Sequence, residues 1–367
     1  MGINLGSTAI SDLKIGTTQV NKVYLGSTEV WSYSPPVIRA LKFSSASAQT
    51  LGIDASVLGT ITPTFEYSTD GSTWTSWNVS NTLSFGSGTD LYIRGSNTML
   101  ASTGSNYVRF VFGTSAPVAC TGNIMHLYDY TQDLLAIPNV ETSNRGLKSM
   151  FKDATVLTSA PDLPATTLCT YAYYQMFSGC TSLATAPALP ATTLGNNCYQ
   201  SMFAGCTSIV TPPTLAATSL TNYCYQSMFS GCTSLATVPA LPATTLTTSC
   251  YQGMFSGCTS IVTPPALPAT SLTASCYHSM FSGCTSLSSL SSFGTVTRGA
   301  TTALVSMYEG CSLIKMSETQ TGEYQNEFSF WAALAQTMTE NMFLNTGGTF
   351  TGSPTRRTYY TANTIVS

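Results

Sequence analysis

The chain has 367 residues, enough for two or three units each with its own core. Charged residues make up 8% of it, and 13 Lys and Arg against 16 Asp and Glu leave a net charge of −3. That balance excludes the basic footprint required by nucleic acid and the basic face required by anionic lipid. No apolar run approaches the roughly 18 residues of a membrane-spanning helix. The segment from Met1 to Ile10 has neither the basic stretch nor the apolar core of a secretory signal, so a chain beginning natively at Met1 is expected to bypass general secretion.

Residues 1–34 carry a ten-residue period: Leu5-Gly-Ser-Thr, Ile15-Gly-Thr-Thr and Leu25-Gly-Ser-Thr, each followed by alternating apolar positions such as Val20 and Val23 or Val30 and Trp31. The pattern predicts short strands joined by tight turns. So small a segment needs a partner to cover it, either the next domain or a larger particle that it anchors to, with trimerisation as one route. Its last copy, Lys22-Val-Tyr-Leu-Gly-Ser-Thr-Glu-Val-Trp31, resembles N-terminal segments of structural proteins of tailed phages of gut bacteria. The resemblance covers about a tenth of the chain and implies a location, with Tyr24, Leu25, Val30 and Trp31 as the anchor residues.

Ser34-Pro35-Pro36 marks a linker. Residues 35–120 then read as an all-β, immunoglobulin-like sandwich, with strands expected at 37–43, 64–68, 73–79, 90–94 and 107–112. Asp70-Gly71 predicts a type I′ hairpin turn. Trp74 and Trp77, three apart on a strand, are expected on opposite faces, one in the core and one at the surface. Asp54, Asp70 and Asp90 read as turn residues. The segment Phe65-Glu-Tyr-Ser-Thr-Asp-Gly-Ser-Thr-Trp74 resembles the β-sandwich unit that precedes BspA-like leucine-rich repeats.

Residues 121–316 hold seven copies of one phrase, aligned on Met150, Met176, Met202, Met228, Met254, Met280 and Met307. A fixed period of this length marks a repeat architecture. Leu194, Cys198, Met202 and Cys206 recur every fourth residue with Tyr199 and Phe203 beside them, which predicts a helix. Gly205 and its equivalents would end that helix, Pro212-Pro213 would enforce an extended piece, and Thr or Ser would cap the next helix. One strand and one helix per repeat gives an α/β solenoid, with 121–149 as its N-terminal cap. The units from Met176 to Ser279 resemble the BspA-like (Treponema-type) leucine-rich repeat, which implies cell-surface adhesion and no common enzyme chemistry.

Ten of the twelve cysteines belong to the repeat. Helices packed side by side would hold equivalent cysteines about 8–10 Å apart, too far for a disulfide, so buried free thiols are expected. No C-x₂-C pair suggests zinc. From Leu163 to Thr297 there is no Asp, Glu, Lys or Arg, which leaves little for acid–base catalysis. Gln200, Gln226, Gln252 and His278 form one polar column that either faces a ligand or simply packs. Residues 317–367 are expected to cap the repeats through a helix over Asn326 to Met342, with Phe328, Trp331, Leu334 and Met338 on one stripe.

Together these features predict a multidomain chain: a small N-terminal β repeat, an all-β sandwich, an α/β leucine-rich-repeat solenoid and a C-terminal cap. The expected role is that of a non-enzymatic surface protein of a tailed phage virion, a head fibre, decoration or tail-fibre component. It would assemble with other virion proteins through residues 1–34, form a homo-oligomer, and touch host glycan or protein. The alternative is a bacterial cell-surface adhesin. No cofactor, metal, nucleic acid or membrane insertion is expected.

Overall fold

The computed structural model describes residues 4–5, 8–9, 14–15, 18–20, 22–25, 28–32, 37–102, 106–136, 146–317, 319–329, 339–348 and 358–362. The chain forms two compact units, Met1–Ile38 and Arg39–Ser367. Among the described residues strand is the prevailing regular element, and one α-helix is present, α1 at Ala55–Leu58.

The described residues of the first unit form three hairpins. β1 (Asn4–Leu5) pairs with β2 (Thr8–Ala9), β3 (Lys14–Ile15) with β4 (Thr18–Gln19), and β5 (Lys22–Leu25) with β6 (Thr28–Ser32), all antiparallel. Their innermost pairs, Leu5 with Thr8, Ile15 with Thr18 and Leu25 with Thr28, repeat the ten-residue period.

The second unit begins with β7 (Leu41–Ser44), β8 (Gln49–Ile53), β9 (Phe65–Ser68), β10 (Thr75–Ser76), β11 (Leu83–Phe85), β12 (Leu91–Gly95), β13 (Phe110–Phe112) and β14 (Val118–Thr121). β15 (Leu157–Ser159) lies in the first repeat and pairs in parallel with β14. One sheet runs β10-β9-β12-β7-β14-β15 and a second runs β11-β8-β13. They meet through Phe43, which packs 5.7 Å from Phe110 and 6.4 Å from Phe85, and through Trp77, stacked on Phe110. β8, β11 and β14 arise where no strand is expected from sequence. The Asp70-Gly71 turn is also longer than expected. Tyr67 already pairs with Thr75, and only Gly71 of the two turn residues is left-handed, at φ 73°. A type I′ turn needs both.

Behind the sheets the 26-residue units stack, and the helix predicted in each is absent. In the unit around Met202, the amides of Tyr199, Ser201, Phe203 and Gly205 donate to the carbonyls of Cys224, Gln226, Met228 and Ser230 in the next unit, at 2.7–3.0 Å. The intervening amides of Gln200, Met202, Ala204 and Cys206 donate three residues back, to Asn197, Tyr199, Ser201 and Phe203, at 3.0–3.2 Å. An α-helix would send every amide four residues back. Here consecutive tight turns use half the amides and the neighbouring coil uses the other half. Every fourth residue is left-handed to make this possible: Asn197, Ser201 and Gly205 at φ 58°, 54° and 74°. A helix tolerates no such residue, so glycine here is a member of that series rather than a helix cap, and Thr and Ser have no helix to cap.

The turn series places two residues in and two out. Cys198, Tyr199, Met202, Phe203 and Cys206 are buried, and the pattern recurs in each coil from Tyr173 to Cys284. Rings stack on their equivalents: Phe177, Phe203, Phe229, Phe255 and Phe281 form one file and Tyr173, Tyr199, Tyr225, Tyr251 and Tyr277 a second, with centroids 5.6–6.0 Å apart. Coils are therefore spaced like hydrogen-bonded strands, closer than the 8–10 Å expected for helices. The Phe file begins on the sheets, where Phe110 packs 5.5 Å from Phe151, and ends on Tyr308 and Phe343.

Phe343 belongs to an eighth coil. Ser306, Tyr308 and Gly310 donate to Glu340, Met342 and Leu344, and Asn341 and Asn345 are left-handed. The excursion before it contains β18 (Lys315–Ser317) and β19 (Asn326–Ser329). Two short parallel strands, β16 (Ser271–Leu272) and β17 (Arg298–Gly299), precede these. β20 (Gly347–Gly348) and β21 (Thr358–Thr361) complete a sheet ordered β19-β21-β18-β20. The helix expected from Asn326 is thus a strand at its start and a coil of the stack at Met342. Trp331, Leu334 and Met338 lie outside the described residues.

Truncating Phe229 to alanine in mid-stack removes a ring with neighbours on both sides and is expected to cost about 3–5 kcal/mol. Gly231→Ala is expected to cost about 1–2 kcal/mol through its left-handed backbone, since the added Cβ would meet nothing closer than 3.7 Å. Denaturant midpoints rank the two, and a larger loss for Gly231→Ala would contradict this packing.

Candidate functional site

The structure gathers Gln200, Gln226, Gln252 and His278 into one half-buried file. Backbone bonds fix its register: Ser201 donates to the Gln226 carbonyl, Ser227 to Gln252 and Gly253 to His278, each at 2.8 Å. The side chains are partly engaged with one another. Gln226 Nε2 donates to Gln252 Oε1 at 3.1 Å, and Gln200 Oε1 accepts from Asn197 Nδ2 at 2.6 Å. His278 Nδ1 lies 3.0 Å from the Ser279 hydroxyl. Burial lowers the His278 pKa, with a backbone hydrogen bond and the Glu309 charge acting against it. The file is a neutral ladder of donors and acceptors, suited to hydrogen bonding rather than proton transfer.

The residues expected to anchor the chain, Tyr24, Leu25, Val30 and Trp31, lie on the third hairpin. Tyr24 pairs with Glu29 and Leu25 with Thr28, whereas Val23 pairs with Trp31, so Val30 is an extra residue at a bulge. Bulges twist a strand and interrupt its edge.

In the sandwich, Trp77 is 5% exposed and its indole N–H donates to the Asn81 carbonyl, while Trp74 stays at the surface, as alternation along a strand predicts. Arg94 inserts between Trp74 and Tyr130, 3.9 Å from each ring centroid, and its Nε donates to Glu66 at 2.7 Å. Arginine's flat cation stacks readily on aromatic faces. This clamp consumes Trp74 as a free stacking platform, and sequence spacing does not reveal it because Tyr130 lies far along the chain.

The three aspartates differ in role. Asp70 organises its turn, accepting from the Thr73 and Ser72 amides and the Ser68 hydroxyl, which hold its carboxyl well below the usual range. Asp54 caps α1 by accepting from the Ser56 amide and also pairs with Arg109. Asp90 pairs with Lys42 at 2.6 Å and accepts from Ser44, a strand-edge ion pair rather than a turn.

Two further features were not expected. His126 is buried, with Nε2 2.8 Å from Asp133 and Nδ1 without a partner. A cleft of about 340 Å³ opens where β13 meets the first coil, lined among others by Arg109, Thr114, Lys152 and Asp153. Only the fold brings Arg109 to Asp153, so no spacing in the sequence announces this cleft.

The thiols are core elements. The ten repeat cysteines are fully buried, and Sγ of Cys206, Cys232, Cys258 and Cys284 donates to the carbonyls of Phe177, Phe203, Phe229 and Phe255 at 3.0–3.1 Å. Burial pushes Cys169 and Cys250 up to about 11 and Cys224, Cys232, Cys276 and Cys284 up to about 12. No helix among the described residues is long and apolar enough to cross a membrane. Comparison of the chain with protein-family models, curated proteins and solved structures finds no match.

Cys169 is the one cysteine that is not fully buried. A disulfide reagent at pH 8 is expected to label one thiol per native chain slowly, because burial leaves little Cys169 thiolate at that pH, to lose that label in Cys169→Ser, and to reach the other cysteines only on unfolding. Rapid native labelling of several repeat thiols would contradict the buried columns.

Proposed function

We propose that this chain is a non-enzymatic structural protein of a tailed phage virion, a head fibre, decoration or tail-fibre component that displays a leucine-rich-repeat solenoid to host surface glycan or protein. The observation that carries it is the division of the chain into a small hairpin unit and a large self-contained one. Isolated two-stranded hairpins are marginally stable in water, so three of them in 38 residues call for a covering partner. The second unit has a continuous core of its own and repeats the same outward columns coil after coil. Anchor and display are thereby separated along the sequence.

Further support comes from the resemblance of Lys22 to Trp31 to phage structural segments and of the repeats to BspA-like ones. Buried thiols suit a protein assembled in a reducing host cytoplasm. In this reading other virion proteins, together with sister chains in a homo-oligomer, cover residues 1–34. The role of the described carboxylates also fits: Asp54, Asp90 and Glu66 are held by Arg109, Lys42 and Arg94 rather than poised as a catalytic pair. The repeat resemblance equally favours a second reading, a bacterial cell-surface adhesin.

Mass spectrometry of density-purified particles separates the two. Peptides of this chain are expected in the particle band, at constant stoichiometry to capsid protein. Peptides confined to the surface fraction of uninfected bacteria would contradict the virion assignment and favour the adhesin.

A further inference from the structure

The first coil departs from those behind it, and it does so beside the cleft. Lys152 stands where Ser178, Ala204, Ser230, Ser256 and Ser282 stand, and Asp153 stands in the column of Gly179, Gly205 and Gly231. Asp153 keeps the left-handed backbone of that column, at φ 62°. Aspartate is one of the few residues that tolerate this conformation. What distinguishes the first coil is therefore the charge it adds, in a repeat region otherwise free of charge from Leu163 to Thr297.

These charges converge on Arg109 of the neighbouring region. Arg109 is fixed by its ion pair with Asp54, while its Nη1 lies 3.6 Å from Asp153, longer than the about 2.7–2.9 Å of a charge-assisted hydrogen bond. Lys152 Nζ, with three donors, meets the neutral Gln175 Oε1 at 3.2 Å. Arg109 and Lys152 are balanced by Asp54 and Asp153, so one positive charge is left unmatched only when Asp153 gives way, and a monoanion fits that place better than a phosphate dianion. Hydroxyls of Thr114, Ser115 and Thr155 share the lining. The volume of about 340 Å³ lies at the lower end of the roughly 300–1,000 Å³ typical of small-ligand sites.

We infer that this cleft binds one carboxylated sugar residue, its carboxylate between Lys152 Nζ and Arg109 Nη1 in exchange for Asp153, and its hydroxyls facing Thr114, Ser115 and Thr155. Asp153 is 60% exposed and loosely held, so it can give way to the ligand. The choice of a sugar over another carboxylate rests on the adhesive role proposed above.

Saturation-transfer NMR and calorimetry on the full chain test the site, using glucuronate, galacturonate and N-acetylneuraminate as probes and glucose as the neutral control. At least one acidic sugar is expected to bind and glucose not. Lys152→Ala is expected to weaken binding about tenfold or more, as for loss of a hydrogen bond to a charged group. Asp153→Gly restores the repeat pattern and is expected to fold as the parent does and bind at least as tightly. No binding of any acidic sugar, equal binding of glucose, or unchanged binding by a folded Lys152→Ala chain would overturn the site. Adhesion to host cells that survives Lys152→Ala would leave the adhesive role standing and remove only the cleft. Absence of any cell adhesion by the parent chain, with the acidic sugar still bound, would remove the adhesive role alone.

Discussion

Everything in the repeat region depends on how each coil divides its backbone amides. Buried N–H groups need partners, and a stretch such as Tyr199 to Cys206 satisfies them alternately, one on the following coil and the next within its own turn. Neither set alone would hold the chain: the turns fix a coil's path, and the ladder between coils fixes their spacing. That spacing brings Phe203 and Tyr199 face to face with their equivalents at under 6 Å. It also brings each thiol of the column from Cys180 to Cys311 to a carbonyl in the preceding coil. The Phe203 carbonyl, with two lone pairs, accepts both the Cys206 amide and Cys232 Sγ. In that column cysteine is thus a small buried side chain whose donor takes the second lone pair of a carbonyl.

The same spacing accounts for the missing charge. In a register of stacked coils a column repeats one residue about every 5 Å. Like charges at that distance repel by about 0.8 kcal/mol in water and about 3 kcal/mol at an effective dielectric near 20. A column of six such residues would accumulate that repulsion at every step. Amides and hydroxyls avoid it and can bond along the file, as Gln226 does with Gln252 and as Asn196 does in accepting from the Asn222 amide. Neutrality from Leu163 to Thr297 is therefore a consequence of stacking, not in itself a mark of what the surface binds. Charge at the first coil, where the column ends, is subject to no such rule.

Much of this was legible in the sequence. The 26-residue period, the burial of Met, Phe and Cys, the split of Trp74 from Trp77 and the short strands of the first unit follow directly from spacing and alternation. The helix did not survive because two-in, two-out burial every fourth residue imitates a 3.6-residue period. The distinguishing sign was the small or polar residue at every fourth place: Asn197, Ser201, Gly205. Only its glycine member looks unusual, because Ser and Asn are ordinary in sequence and exceptional only in their backbone angles. The eighth coil was hidden by distance, since Met342 follows Met307 by 35 residues (342 − 307) instead of the usual period. The cleft at Arg109 and the Arg94 clamp were invisible for another reason. Both join residues from separate strands and loops, and no local pattern encodes such a meeting.

The central claim is the ladder, and through-hydrogen-bond scalar coupling in a deuterated, isotope-labelled chain reads it directly. The Tyr225 amide nitrogen is predicted to couple to the carbonyl carbon of Cys250 in the next coil, its acceptor at 3.0 Å. Coupling instead to the carbonyl of Thr221, four residues back, would identify an α-helix and contradict the account.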